Sequence, residues 1–199
     1  MGLGNNIVIS LIRRQSGFNL LELVVTVAVL GAVIVVAAPN FTDTLARNQL
    51  TNSANNLVVS LGATRQAALA RGLTTFICHS ANSDTNNPSC GGTGSGWDTG
   101  VLIYASAPAR FNTALRNYIS SGGTPDTLVN QERFASSGKI EITPTNATSQ
   151  IAFTPEGLLF GGSAVELLVC DSTRTGETGR IIRVSPAGRV SSEDSAACT

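Results

Sequence analysis

The chain has 199 residues, of which 42% are hydrophobic and 13% are charged, and its formal net charge at pH 7 is zero. This balance gives no broad basic surface of the kind that non-specific DNA binding needs. The chain has a single histidine, His79, and its four cysteines form no Cys-x-x-Cys pair, so we expect no metal site. The sequence also has no nucleophile elbow or phosphate-binding loop, and we therefore expect no cofactor and no enzymatic activity.

A basic pair, Arg13 and Arg14, precedes a long apolar run that extends to Ala38. The run from Phe18 is long enough to span the hydrocarbon core of a bilayer, which is about 30 Å thick. Because basic residues stay on the cytoplasmic side, we expect the leader to remain there and the rest of the chain to cross. A secretory signal peptide would instead be cut after its apolar run. Glu22 lies within the run, although a charge at the centre of a bilayer costs about 2.5–3.5 kcal/mol.

The segment from Ser16 to Glu22 resembles the processing site of type IV prepilins and pseudopilins. The resemblance implies that prepilin peptidase cuts after Gly17 and that Phe18 becomes the N-methylated first residue. Glu22 is then the acidic fifth residue, and the N-terminal amine of a neighbouring subunit could pair with it and favour assembly. Asn19 departs from the threonine that is usual in this family. An ordinary signal anchor with a chance glutamate is the alternative.

We divide the chain into a prepilin leader (1–17), the transmembrane half of an N-terminal helix (18–38), its periplasmic half (39–72) and a β-rich globular domain (73–199). Apolar residues at helical spacing predict that the helix continues beyond the membrane, and Gly72 is a plausible stop. Pro39 should kink the helix. Gly31 and Pro39 match the helix-breaking positions of pilin helices, which implies a local weak point that can melt in a filament.

Short β-branched segments follow the helix and are separated by clusters of Gly, Pro, Asn and Ser. The predicted strands are 74–78, 101–104, 139–143, 151–153, 165–170, 180–184 and 188–190. The predicted fold class is therefore α+β, with an antiparallel β-sheet packed on the outer half of the long N-terminal helix.

All four cysteines follow the apolar run, which places them in the bacterial periplasm, a compartment that supports disulfides. Four cysteines allow three pairings, and sequence order favours Cys78–Cys90 and Cys170–Cys198. Loop-closure entropy gives about 3 and 3.5 kcal/mol for these two bonds. The second bond would fix the last residues of the chain to the sheet.

Motifs in the β-rich region resemble those of the GspH/FimT group of minor pseudopilins and pilins. They are Trp97-x-x-Gly100 at a strand, Phe153-x-x-x-Gly157 at a strand and its turn, and Gly179-Arg180 with Ser185-Pro186-Ala187-Gly188-Arg189-Val190 in a C-terminal hairpin. The resemblance covers nearly the whole chain after Gly17. It implies a pilin fold and assembly with other subunits of the same class.

FimT proteins of this group can act as DNA receptors through a C-terminal Gly-Arg-x-Arg motif. This chain has Gly188-Arg189-Val190-Ser191, which lacks the second arginine, and Arg180 and Arg183 are the nearby replacements. The same region carries the acidic residues Asp171, Glu177, Glu193 and Asp194. Arg180, Arg183 and Arg189 therefore form a candidate DNA-binding set, but we favour a structural role.

The sequence thus predicts a minor pilin or pseudopilin, anchored by one helix in the bacterial inner membrane with its C-terminal domain in the periplasm. Its expected partners are prepilin peptidase, the inner membrane and the other minor and major pilins or pseudopilins. We expect it to prime assembly of a type IV pilus or to sit at its tip. An H-type minor pseudopilin of type II secretion and a FimT-like DNA receptor are the alternatives.

Overall fold

The computed structural model describes residues 19–91, 96–106, 126–134, 139–146, 148–174 and 176–198, without the side chains of residues 35–40, 196 and 197. The chain forms two compact units, one up to Asp43 and one from Thr44 onwards. The elements in chain order are α1 (Leu20–Arg71), β1 (Thr75–His79), β2 (Gly100–Ala105), β3 (Thr127–Arg133), β4 (Ile140–Pro144), β5 (Gln150–Phe153), β6 (Val165–Asp171), β7 (Thr178–Val184) and β8 (Val190–Ala197).

The long helix ends where the sequence predicts. Gly72 follows its last residue, Arg71, and adopts a positive φ of 62°. Its N–H donates to the carbonyl oxygen of Ala68 over 3.0 Å, which satisfies one of the last helical carbonyls. Glycine adopts this left-handed conformation without steric cost, so it is the favoured residue just beyond a helix.

The strands form two four-stranded antiparallel sheets, where the sequence predicted one. Sheet 1 has the order β3-β2-β1-β5, and sheet 2 has the order β4-β6-β7-β8. The predicted fold class, α+β with antiparallel strands packed on a helix, is confirmed. Two strands differ from the prediction, because β3 was not predicted and β8 extends well beyond Val190.

The core of the second unit lies between α1 and both sheets. Leu57 and Leu61 of α1 are fully buried, whereas Leu45, five residues before the first buried position at Leu50, is 45% exposed. The residues that pack in the same cluster come from both sheets and include Ile77, Val101, Ile103, Ile151 and Phe153 of sheet 1 and Ile140, Ile142, Leu167, Val169, Ile182 and Val184 of sheet 2. The helix therefore holds the two sheets together through its apolar face.

Sheet 1 is buried on its second face as well. Phe76 and Tyr104, which are paired across β1 and β2, stack with ring centroids 5.2 Å apart. Together with Cys78, Leu102 and Ala152 they form a smaller cluster. Both β1 and β2 are buried along their whole length.

Candidate functional site

The start of α1 carries the predicted assembly residue, Glu22, in its first turn. Asn19 caps this turn, because its side-chain Oδ1 accepts the N–H of Leu21 over 3.4 Å. The carbonyl oxygen of Asn19 accepts the N–H groups of Glu22 and Leu23 at 2.9 and 3.2 Å. Asn is among the best capping residues, and a carboxylate at this end of a helix is favoured by the helix dipole. Asn19 therefore begins α1 with a side-chain cap.

The predicted processing positions, Gly17 and Phe18, lie outside the described residues. Gly31 and Pro39 lie within the continuous helix α1, and its melting in a filament stays a prediction. Among the residues that the structure describes, no helical stretch combines the length and the mean hydropathy of a membrane span.

The first unit nevertheless exposes many large apolar side chains. Their exposed fractions lie between 52% at Val25 and 79% at Leu20, and they occupy all sides of the helix. The residues are Leu20, Leu21, Leu23, Val24, Val25, Val27, Val29, Leu30, Val33, Ile34 and Phe41. Contiguous apolar patches of this extent are rare on the surface of monomeric soluble proteins.

The structure contains both disulfides that sequence order favoured, Cys78–Cys90 and Cys170–Cys198. The second links β6 to the end of the chain and lies over β7. A Cβ atom added at Gly179 would come within 2.6 Å of Cys198 Sγ and 3.0 Å of Cys170 Sγ. In the sequence, Gly179 stood out only as part of the Gly179-Arg180 motif. A glycine directly before the predicted strand 180–184 was the available signal, because glycine in a strand often marks such a close approach.

The three candidate DNA-binding arginines do not share one face of sheet 2. Successive residues of a strand point to opposite faces, so Arg180 lies on the same face as the buried Ile182 and Val184. Arg183 lies on the opposite, open face and is exposed. Arg189 precedes β8 and is also exposed.

Two of these arginines are already paired with carboxylates. Arg180 Nη2 lies 3.2 Å from Asp194 Oδ1. Arg183 lies 2.8 Å from Glu166 and 3.8 Å from Glu193, and the hydrogen bond to Glu166, together with the two negative charges, raises the pKa of the guanidinium. Pairing of this kind reduces the positive potential available to phosphate. DNA binding by this set stays a prediction, and the geometry does not favour it.

Two glycine turns meet at one position on α1. Arg65 Nε donates to the carbonyl oxygen of Gly157 over 2.9 Å, and Gly188 lies against both groups so closely that a Cβ atom there would clash with them. Both glycines have positive φ angles, 76° and 73°. This contact ties the Phe153-x-x-x-Gly157 motif and the C-terminal hairpin to the helix. Arg65 was not predicted to have a role, and its position in an alanine-rich part of the helix was the only signal in the sequence.

His79 is buried at the end of β1 and lies beside Trp97, with ring centroids 6.1 Å apart. Within the described part of the chain, its Nδ1 atom has no hydrogen-bond partner. Burial lowers the pKa of His79, and the nearby charge of Asp98 opposes this shift without cancelling it. Trp97 is fully buried and donates its indole N–H to the carbonyl oxygen of Thr148 over 3.0 Å. Both rings therefore serve the packing of the Trp97-x-x-Gly100 motif.

The family comparison covers most of the second unit. The profile of the family described as type II transport protein GspH matches residues 53–188, about two thirds of the chain. The chain belongs to the GspH family. The matched region includes the disulfide Cys78–Cys90, Arg65 and both glycine turns.

Among solved structures, the chain is similar to the type IV minor pilin FimU of Pseudomonas aeruginosa (strain PAO1) in two crystal forms. The form in space group P21 is 21% identical, with a TM-score of 0.49, and the similarity covers 74% of this chain and 90% of that chain. The form in space group P65 is 18% identical, with a TM-score of 0.48 and coverage of 72% and 91%. No match was found among curated protein sequences.

Proposed function

We propose that this GspH-family chain is a minor pilin that is cut by prepilin peptidase after Gly17 and built into a type IV pilus. It primes assembly or occupies the tip of the filament. Family membership supports the broader class of minor pilins and pseudopilins. The sequence Gly17-Phe18, followed by Glu22 at the start of a long apolar helix, is the single observation that carries the proposal.

The exposed apolar surface of the first unit fits this role. Before assembly, the side chains from Leu20 to Ile34 would be covered by lipid of the inner membrane, and after assembly by the helices of neighbouring subunits. Glu22 would favour the assembled state over the state in the membrane. Its carboxylate lies in the first turn of α1, and a cut after Gly17 would create a new amine four residues before it in the sequence. A neighbouring amine would then gain a charge-assisted partner that lipid does not supply.

Mass spectrometry of the mature N-terminus tests the proposal. We expect a chain that begins with methylated Phe18, and a Gly17→Arg variant that keeps its leader because the bulky residue blocks the cut. Gly17→Ala is the matched control and should still be processed. Glu22→Val should enter the membrane but fail to reach the filament, because the amine then has no partner. A mature chain that begins at another residue, or normal assembly of Glu22→Val, would contradict the proposal.

A role as the H-type minor pseudopilin of type II secretion is the second candidate. The description of the matching family, type II transport protein GspH, favours it. Deletion of the gene separates the two candidates. Loss of surface pili with normal protein export supports the pilus, whereas retained pili with exported proteins trapped in the periplasm support secretion.

A further inference from the structure

Residues 96–99, which we call the Trp97 segment, close over the imidazole ring of His79 at the end of β1. Gly96 lies so close to this ring that an added Cβ atom would clash with the Nδ1 atom. His79 is only 9% exposed, and its Nδ1 atom has no hydrogen-bond partner among the residues that the structure describes. The Trp97 segment therefore shields this ring nitrogen from water without offering it a hydrogen bond.

The Trp97 segment is fastened to its surroundings by side-chain and single backbone bonds. The indole N–H of Trp97 donates to the carbonyl oxygen of Thr148 over 3.0 Å. The Thr99 hydroxyl lies 3.1 Å from the carbonyl oxygen of Ser80, and the N–H of Phe134 donates to the carbonyl oxygen of Thr99 over 3.1 Å. In contrast, β1 is held by a ladder on each side. A segment held in this way opens at a lower free energy than the sheet beneath it.

The bond from Trp97 to Thr148 also fastens a connection between the two sheets. Thr148 lies between β4, which belongs to sheet 2, and β5, which belongs to sheet 1. Opening of the Trp97 segment would therefore expose the indole ring and release this connection at the same time.

The charge that acts on His79 from the Trp97 segment is Asp98. It raises the pKa of His79, but burial lowers the pKa by more, so the pKa lies below its ordinary value of about 6.5. The closed segment thus favours the neutral ring even with a carboxylate nearby.

The other elements around His79 supply little further counter-charge. Glu132 lies on the same face of sheet 1, but two strands and about 10 Å away, where it accepts a hydrogen bond from Ser60 over 2.8 Å. Asp84, on the loop after β1, is paired with Arg133 over 2.8 Å. The helix α1 carries no charged residue from position 48 to position 64.

We propose that the Trp97 segment is an acid-sensitive latch, in which protonation of His79 moves Gly96 and Trp97 off the ring and releases Thr148. In the protonated ring both nitrogens are donors. The closed segment leaves the Nδ1–H without an acceptor among the described residues, whereas water accepts it in the open state. The ratio of open to closed molecules therefore rises by at most about tenfold for each pH unit between the ordinary pKa and the lowered one. This inference goes beyond the proposed function and does not rest on it.

The chain carries its own probes for the test, because Trp97 is its only tryptophan and His79 its only histidine. Purified full-length protein in detergent is titrated from about pH 7.5 to pH 5. Quenching of the Trp97 fluorescence by acrylamide measures access to the indole, and NMR of labelled histidine measures protonation of His79. We expect the quenching constant to rise by about threefold or more, with the midpoint of the His79 titration and an unchanged far-UV circular dichroism spectrum.

His79→Phe is the matched control, because it keeps an aromatic ring that cannot be protonated, and its quenching constant should stay constant with pH. A constant quenching constant in the wild type, or an equal rise in a folded His79→Phe variant, would overturn the proposal. Loss of the far-UV signal together with the rise would also overturn it, since the whole chain would then unfold. If His79→Phe does not fold, the wild type decides alone, because separate midpoints for quenching and for His79 would refute the coupling.

Discussion

Gly179 lies in β7 beneath both sulfur atoms of the Cys170–Cys198 disulfide, in a space that has no room for a methyl group. Its own φ angle is not in the left-handed region, so the requirement for glycine here comes from space and not from backbone conformation. The carbonyl oxygen of Val169 closes the same space at 2.6 Å from an added Cβ. The close packing of β7 against the Cys170–Cys198 disulfide therefore depends on glycine at this position.

We predict that Gly179→Ala lowers the free energy of unfolding by about 1–3 kcal/mol, because an added methyl group forces the disulfide or β7 to move. Urea denaturation measures this change. Gly62→Ala is the control, since nothing lies within 4 Å of a Cβ atom at this helical position. It should raise stability by about 0.5–1 kcal/mol through its higher helix propensity. Equal effects of the two substitutions would contradict the close packing at Gly179.

The buried His79 makes the stability of the chain depend on pH. Its pKa is lower in the folded state than the usual value of about 6.5, so the unfolded chain binds more protons as the pH falls. The contribution of His79 to stability is therefore complete above about pH 6.5 and is lost as the pH drops through the lowered pKa. We predict that His79→Leu removes the part of the acid-induced loss of stability that comes from His79.

Urea denaturation of the wild type and of His79→Leu at about pH 7.5 and pH 5 checks this prediction. The carboxylates affect the free energy of unfolding of both proteins equally, so their effect cancels in the difference between the two proteins. The wild type should lose more stability than the variant over this range. Parallel losses would mean that His79 is protonated equally in both states of the chain.

At the scale of single elements, the strands with apolar residues were predictable and the polar edge strands were not. Alternating or continuous apolar residues marked β1, β2, β4, β5, β6 and β7 within a few residues. The missed strand β3 is largely exposed at the edge of sheet 1, and β8 is the polar edge of sheet 2. Edge strands are held by backbone hydrogen bonds on one side, so their sequences need little apolar character.

The residues of the candidate site were also predictable to different extents. Residues whose role is local or covalent, such as the cysteines and Gly72, could be placed from spacing and residue type. The contact of Arg65 with Gly157 joins parts of the chain that are distant in sequence. Such contacts depend on strand register and sheet order, which a single sequence does not specify.

The C-terminal disulfide should matter most for β8, which has few apolar contacts of its own. We predict that changing Cys170 and Cys198 together to Ser lowers the free energy of unfolding by about 2–4 kcal/mol. Hydrogen exchange should increase first in β8, because the strand then depends on its ladder with β7. Titration of free thiols in the native wild-type protein shows whether the two disulfides are formed before any substitution is made. Titratable thiols in the native wild-type protein would contradict both bonds and the oxidising compartment.

Across the whole molecule, charge argues against strong DNA binding. The formal net charge is zero, and Arg180 and Arg183 are held by carboxylates on opposite faces of sheet 2. We predict that the full-length protein binds duplex DNA weakly and with little dependence on salt. Changing Arg180, Arg183 and Arg189 to Gln should then have no effect. Micromolar binding whose salt slope flattens by up to about three units in the triple variant would instead establish a phosphate-binding face.

The bond between Cys170 and Cys198 also decides how the chain carries tension. It closes a segment with a sequence separation of 28 residues, so about 95 Å of extended backbone cannot be drawn out when the ends are pulled. Force applied beyond Cys198 bypasses the last two strands and enters sheet 2 at β6, an interior strand. The tension therefore enters at a strand that is hydrogen-bonded on both sides, and not at the edge strand β8.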